Sequence, residues 1–240
     1  MPRKRSYEAA MQGLYEHFAA RGWELMTRSP THLWLALQPG PGVRHEMFIH
    51  EGVSREKPPA GFFACSCLVD IRFPALEAMI KPSLGYAPED RMCALVRALI
   101  HYVPPEHLHD GNAHLVETDP ANGTAARQRF RDDIDQYLEP VRHRFDDVSI
   151  LADEDFVPRF FHPLGWAIWR APYVKSTAGA QEWQAYADRL EAQARQVLDE
   201  EEGASGDTRI FTGIAALQRG ASLQDAQRLL TVLQALRCAG

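Results

Sequence analysis

Between positions 107 and 114 lie His107, His109, Asp110 and His114, the densest group of potential ligands in the chain, with His101 a short way upstream. Neutral imidazole and carboxylate suit zinc or iron, and His-x-His in an extended segment sets two imidazoles on one side. Pro104-Pro105 and Gly111-Asn112 bracket the group and mark it as loop. Its spacing matches no metal-binding motif, so two readings stand side by side: a solvated loop, or a divalent metal held by His107, His109 and His114.

Four other groups invite chemistry. His45 and His50 flank Glu46, but on a strand Glu46 and His50 share one face and His45 takes the other, so the three do not meet one ion. Cys65 and Cys67 sit two apart on one strand face, a poor geometry for a mutual disulfide, and read as small buried hydrophobes. Asp146, Asp147, Asp153, Glu154 and Asp155 form an acidic run without the glycine or the ligand spacing of a calcium loop. They are solvated charge or, at Asp153, Glu154 and Asp155, a docking surface for a basic partner. The segment from Phe156 to Tyr173 holds six aromatics, Trp166 and Trp169 among them, interspersed with Pro158, Pro163 and Pro172. Such residues fill cores or line an interface or ligand groove. A Gly-rich phosphate loop and a Gly-x-Ser-x-Gly elbow are both missing from the sequence, and Arg209, Arg219, Arg228 and Arg237 stand among acids and make no basic face.

The elements that would position these groups are legible from periodicity. Phe63, Cys65, Cys67, Val69, Ile71 and Phe73 alternate over residues 61–73, which predicts a long strand. Its other face turns polar toward Asp70 and Arg72, as in a strand emerging at a sheet edge. Upstream, Tyr7, Met11, Leu14, Tyr15 and Phe18 predict an amphipathic helix capped by Ser6 and stopped at Gly22. Strands follow over 23–28, 32–38 and 44–51, with Pro39-Gly40-Pro41-Gly42 as the loop between the last two. The fold class is therefore α+β: an antiparallel meander sheet of about four strands packed by helices, then a helical C-terminal unit.

Downstream, Leu76, Met79 and Ile80 suggest a short helix closed by Pro82. Met92, Leu95, Val96, Leu99, Ile100 and Val103 recur at helical spacing and predict a helix over 88–103, although their β-branched members leave a strand open. His114 to Thr118 reads as a short strand. Asp119-Pro120 opens a helical pattern through Phe130, Ile134, Tyr137, Leu138, Val141 and Phe145, which Pro140 should kink or divide. A helix around Trp183 to Leu198 precedes an acidic break at 200–207. A short helix follows, ended by Gly220, and a last one begins at Ser222 with Asp225 in capping-box spacing. These elements divide the chain into an α+β domain at 1–155, an aromatic connecting segment at 156–178 and a helical unit at 179–240.

With 26 basic and 32 acidic residues the net charge is −6, which disfavours nucleic acid and anionic membranes and suits a basic protein partner. The four cysteines, Cys65, Cys67, Cys93 and Cys238, form no CxxC pair, so a reducing compartment is expected. No window has the length of a membrane span and no hydrophobic stretch of signal-peptide type follows Met1, which together predict a cytoplasmic protein.

The order of helix, Gly22-Trp23, meander, long alternating strand and a helix running into Tyr137-Leu138-Glu139-Pro140 resembles α+β domains of bacterial toxin-immunity and polymorphic-toxin loci. The resemblance covers residues 6 to 155. It implies a non-enzymatic cytosolic inhibitor or accessory protein, with no catalytic residue to carry over. The leading expectation is thus a protein-binding protein acting through acidic and aromatic surface, as monomer or homodimer. Its rivals are a metal-dependent enzyme using His107, His109 and His114, and a small-ligand sensor with the aromatic segment as pocket.

Overall fold

Tyr7, Ala10, Met11, Leu14 and Phe18 recur every three or four residues and are all buried, which fixes the inner stripe of helix α1, Pro2–Ala19. The helix starts four residues before Ser6, and Gly22 follows it at φ +87. The computed structural model describes residues 2–90, 92, 95–118, 123–158, 162–204 and 214–239. It comprises two compact units, Met1–Phe73 with Cys93–Val148, and Pro74–Met92 with Ser149–Gly240, so the expected boundaries at 155 and 178 do not coincide with these.

The first unit is α+β. Its strands are β1 (Glu24–Ser29), β2 (His32–Leu37), β3 (Arg44–Glu51), β4 (Phe62–Arg72), β5 (Leu95–Ala98) and β6 (His114–Glu117). All pair antiparallel in the order β1-β2-β3-β4. Beyond β4, β5 lies against Leu68–Ile71 and β6 against Phe62–Cys65, so six strands occupy five positions. Phe63, Cys65, Cys67, Val69, Ile71 and Phe73 are each at most 1% exposed, as the alternation predicts. Burying each large apolar side chain contributes about 1.5–3 kcal/mol, which makes this face the main support of the unit.

Two expectations are corrected here. β4 is central, not an edge: β5 and β6 take its free side, and Arg72 turns its guanidinium to the buried carboxylate of Glu46 at 3.0 Å. The stretch 88–103 is not a helix either. Its described residues form a turn at 88–90, then β5, then a 3-10 turn at Leu99–His101. The open flank of β4 offered a ladder, and that tertiary pairing overrode the helical spacing. Asp119 and Pro120 lie outside the described residues.

Pro140 divides its helix as expected. Helix α3 (Ala125–Asp133) widens into a π turn at Ile134–Leu138 before α4 (Glu139–His143), so the proline enters near a helix start, where its missing N–H matters least. Phe130, Ile134, Leu138 and Phe145 are buried along this path. The turn after α4 approaches the Pro39–Gly42 loop so closely that a Cβ on Gly40 would lie 2.7 Å from the Asp146 carbonyl oxygen. Gly40→Ala is expected to cost about 2 kcal/mol, read as a lower urea midpoint. Unchanged stability would mean that the loop yields without cost.

The second unit is helical, with α2 (Pro74–Ile80), α5 (Pro163–Thr177), α6 (Ala180–Ala204) and α7 (Ile214–Cys238). Helix α5 packs against α2, α6 and α7, and every residue from Leu164 to Pro172 is buried. The presumed connecting segment thus contains the core helix of this unit. His162 caps it by accepting from the Leu164 N–H, and Pro163 sits at a position that favours proline. Arg170, also buried, donates to the carbonyls of Leu151, Asp153, Glu154 and Phe156 and ties the preceding loop to the helix. Gly220 and Ser222 lie inside α7 and neither ends nor starts a helix. One interior glycine costs about 1 kcal/mol, which the burial of Ala226, Leu229, Val232, Leu233 and Leu236 outweighs. Ile210 and Phe211, with Phe160 and Phe161, fall outside the described residues. No helix among the described residues is long and apolar enough to cross a membrane.

Candidate functional site

His114 stands on the buried face of β6, opposite α3, where the Phe130 ring packs against it at 5.1 Å. One turn further along α3, Asp133 is 2% exposed and accepts from His114 Nε2 at 2.8 Å through Oδ2. Its other oxygen, Oδ1, accepts at 2.8 Å from Nδ1 of His107, which sits in a 3-10 turn at Pro105–His107. A single buried carboxylate therefore orients two imidazoles. The nitrogens facing it carry hydrogen and donate, and His107 Nε2 and His114 Nδ1 are the ring nitrogens that it does not engage. His114 Nδ1 is buried and has no partner. Burial lowers the pKa of His114, while the bond and the charge of Asp133 pull the other way.

His109 does not join them. It bridges to Ala113, and its Nε2 donates to the Glu56 carbonyl at 3.3 Å. Asp110, at φ +50, accepts from Ser54 Oγ and the Glu56 N–H at 2.9 Å and from the Arg55 N–H. These bonds, that from Glu56 foremost, hold its carboxyl down to about 2. Among the described residues no group of three or more His, Cys, Asp or Glu side chains is placed to hold a metal ion. The expected His107, His109 and His114 set is thus corrected: two of its members converge on Asp133 and the third braces a loop.

Next to this junction Glu117, 2% exposed, takes over the capping of α3. Its Oε1 accepts the Ala126 N–H at 2.7 Å and its Oε2 the Arg127 N–H at 2.9 Å, while Thr124 at the cap position makes no side-chain bond. A cavity of about 500 Å³ opens beside it. Glu106, His107, His109, His114, Glu117 and Arg129 supply its polar lining, and Phe62, Leu108 and Leu115 its apolar wall. Asp133 and Glu117 escape a reading by spacing because their partners are distant in sequence. The one signal was a carboxylate on the buried stripe of α3, three residues past Phe130.

The other candidates resolve into structure. His45 and Glu46 do occupy opposite faces of β3. His45 is fully buried, donating from Nε2 to the Phe145 carbonyl at 3.0 Å and accepting at Nδ1 from Arg142 at 2.8 Å. Glu46 accepts from Trp34 Nε1 at 3.1 Å and from Arg44 Nε at 2.9 Å, besides Arg72. His50 donates to the Glu51 carbonyl at 2.8 Å. Cys65 and Cys67 are core, and burial pushes both thiols up, away from nucleophilic character. Cys93 is outside the described residues.

Of the residues expected to meet a partner, Trp166 and Trp169 are 0% and 5% exposed in the core of the second unit. They offer no surface, which corrects the aromatic half of that expectation: from Leu164 to Trp169 α5 is apolar around its whole circumference and so must be buried. Asp153, Glu154 and Asp155 are exposed; Asp153 Oδ1 accepts the Asp155 N–H, and Glu154 pairs with Arg189 at 3.3 Å.

A different surface is open in the first unit. Among the described residues strand β1 pairs only with β2, and none of its residues is buried; Leu25 and Met26 are 39% and 43% exposed. The register moves by one between Leu25↔Leu35 and Thr27↔Trp34, so Met26 is a bulge. Compared with known protein families, curated proteins and solved structures, the chain has no match.

Proposed function

We propose that the chain is a non-enzymatic protein-binding protein that takes an extended segment of a partner along β1. The observation that carries this is the edge itself: a strand without a buried residue, with apolar Leu25 and Met26 in solvent. The outer side of such a strand presents backbone N–H and C=O groups on which another chain builds a further strand. The bulge at Met26 interrupts that template and restricts ladder pairing to a short run, which favours a defined partner over indiscriminate association. A net charge of −6 favours a basic one.

A second copy is not the partner proposed. Glu24 pairs with Ala36 and Arg28 with Leu33, so the bulge sets these two charges on opposite sheet faces, and antiparallel self-pairing forms no ion pair between them. Binding without catalysis agrees with the resemblance of residues 6 to 155 to toxin-immunity domains, and an inhibitor or accessory role is the form it would take. Capture from the native host followed by mass spectrometry tests this. The wild-type chain should recover a specific partner, and Leu25→Lys with Met26→Lys should weaken that recovery more than about tenfold. Undiminished recovery by the double variant would move the contact off β1, and no specific partner under any condition would remove the reading.

A further inference from the structure

We infer that the cavity beside Asp133 binds a small zwitterion, an apolar α-amino acid. This does not rest on the reading of β1. The cavity, about 500 Å³, lies wholly within the first unit and has the size of a small-molecule site. His107, held through Nδ1 by Asp133, is half-buried and lines the cavity. An ammonium group donates to carboxylate oxygens. Glu106, exposed on the same lining, supplies the matching negative charge.

The opposite charge comes from Arg129, which is exposed and has no hydrogen bond or ion pair among the described residues. A guanidinium with all its donors available binds a carboxylate in bidentate fashion. Glu117, whose two oxygens each accept one α3 N–H, is a second carboxylate on the lining and keeps further lone pairs for an ammonium group. Because it takes those N–H groups, the start of α3 is not a second anion site. Phe62, Leu108 and Leu115, each half-buried, leave an apolar wall for a side chain. A free guanidinium, the carboxylates of Glu106 and Glu117 and an apolar wall match an apolar amino acid better than a simple anion, and no group of three ligands among the described residues is placed for a metal ion.

The experiment titrates the full chain, carrying ring-labelled histidine, with L-leucine and L-phenylalanine and follows the His107 signal by NMR. Leucinol, which lacks the carboxylate, and N-acetyl-L-leucine, which lacks the ammonium, are the comparison probes. A saturable shift of His107 with a free amino acid is expected, with each truncated analogue binding at least about tenfold more weakly. Arg129→Met should abolish the difference between leucine and leucinol while leaving the His114 signal in place, a check that the unit is still folded. Absence of any His107 shift with both amino acids would overturn the inference. So would leucinol binding as well as leucine to the wild-type chain.

Discussion

Asp133→Ala is expected to lower the stability of the chain by about 3 kcal/mol in urea denaturation, and Asp133→Asn by roughly half as much. The carboxylate is 2% exposed and both oxygens are engaged, each at 2.8 Å from an imidazole nitrogen. Hydrogen bonds to a charged group contribute about 1.5–3 kcal/mol each, and a buried donor left without its acceptor costs its full desolvation. In the alanine variant His114 keeps no partner at either nitrogen, since its Nδ1 already has none. Asparagine retains one acceptor oxygen, but its amide must face an imidazole nitrogen that now has to accept. His114 would then carry its proton on the unpartnered side. An alanine variant within 1 kcal/mol of wild type would mean that the two imidazoles do not depend on the carboxylate. Equal losses for Asn and Ala would place the stabilisation in the charge alone.

What the sequence disclosed of this fold follows the length of each pattern. β4 has enough alternating positions for its period to stand out, and its buried face was predicted residue by residue. β5 has four residues, too few to separate a period of 2 from one of 3.6, so the helical spacing around it prevailed. Proline misled in one place and informed in another. Pro158, Pro163 and Pro172 suggested a connection, yet Pro163 sits at the first position of α5, where its missing N–H is spared, and Pro172 lies inside the helix, which tolerates the loss of one backbone bond within its buried core. At Pro140 the expected division of the helix is the one observed.

The candidate site was half legible for a related reason. His107 and His114 stood out because they are histidines close together, and metal binding was the chemistry that their proximity suggested. Their common partner lies 26 and 19 residues further on, brought in by the packing of α3 on β6. Only the fold decides that one carboxylate holds both rings while His109 turns away.

Between pH 6.5 and about 4 the chain is expected to lose about 3 kcal/mol of stability through His45 alone. This imidazole is fully buried, and burial is the first cause that lowers its pKa from 6.5 to about 4. The Phe145 carbonyl opposes the shift, and the Arg142 guanidinium reinforces it. Asp146, 3.6 Å from Nδ1, favours the proton, and His143 disfavours it. The sign follows from proton counting. Over that window the unfolded chain binds a proton that native His45 does not, so acid favours unfolding and stability rises with pH until the unfolded value of 6.5 is passed. The gap, at about 1.4 kcal/mol per pH unit, gives about 3 kcal/mol. A proton on Nδ1 would also confront the Arg142 N–H that this atom accepts at 2.8 Å, so the two groups cannot both donate there. Burial lowers His17 to about 4 as well, and lowers His114, so the slope of wild type in this window has more than one source. His45→Gln isolates the share of this residue, because glutamine fills the site without titrating. Urea midpoints measured at intervals from pH 4 to 7 should show a clearly shallower dependence in the variant than in wild type, with the two curves closest at the acid end. Parallel curves would mean that His45 titrates equally in the folded and unfolded chain.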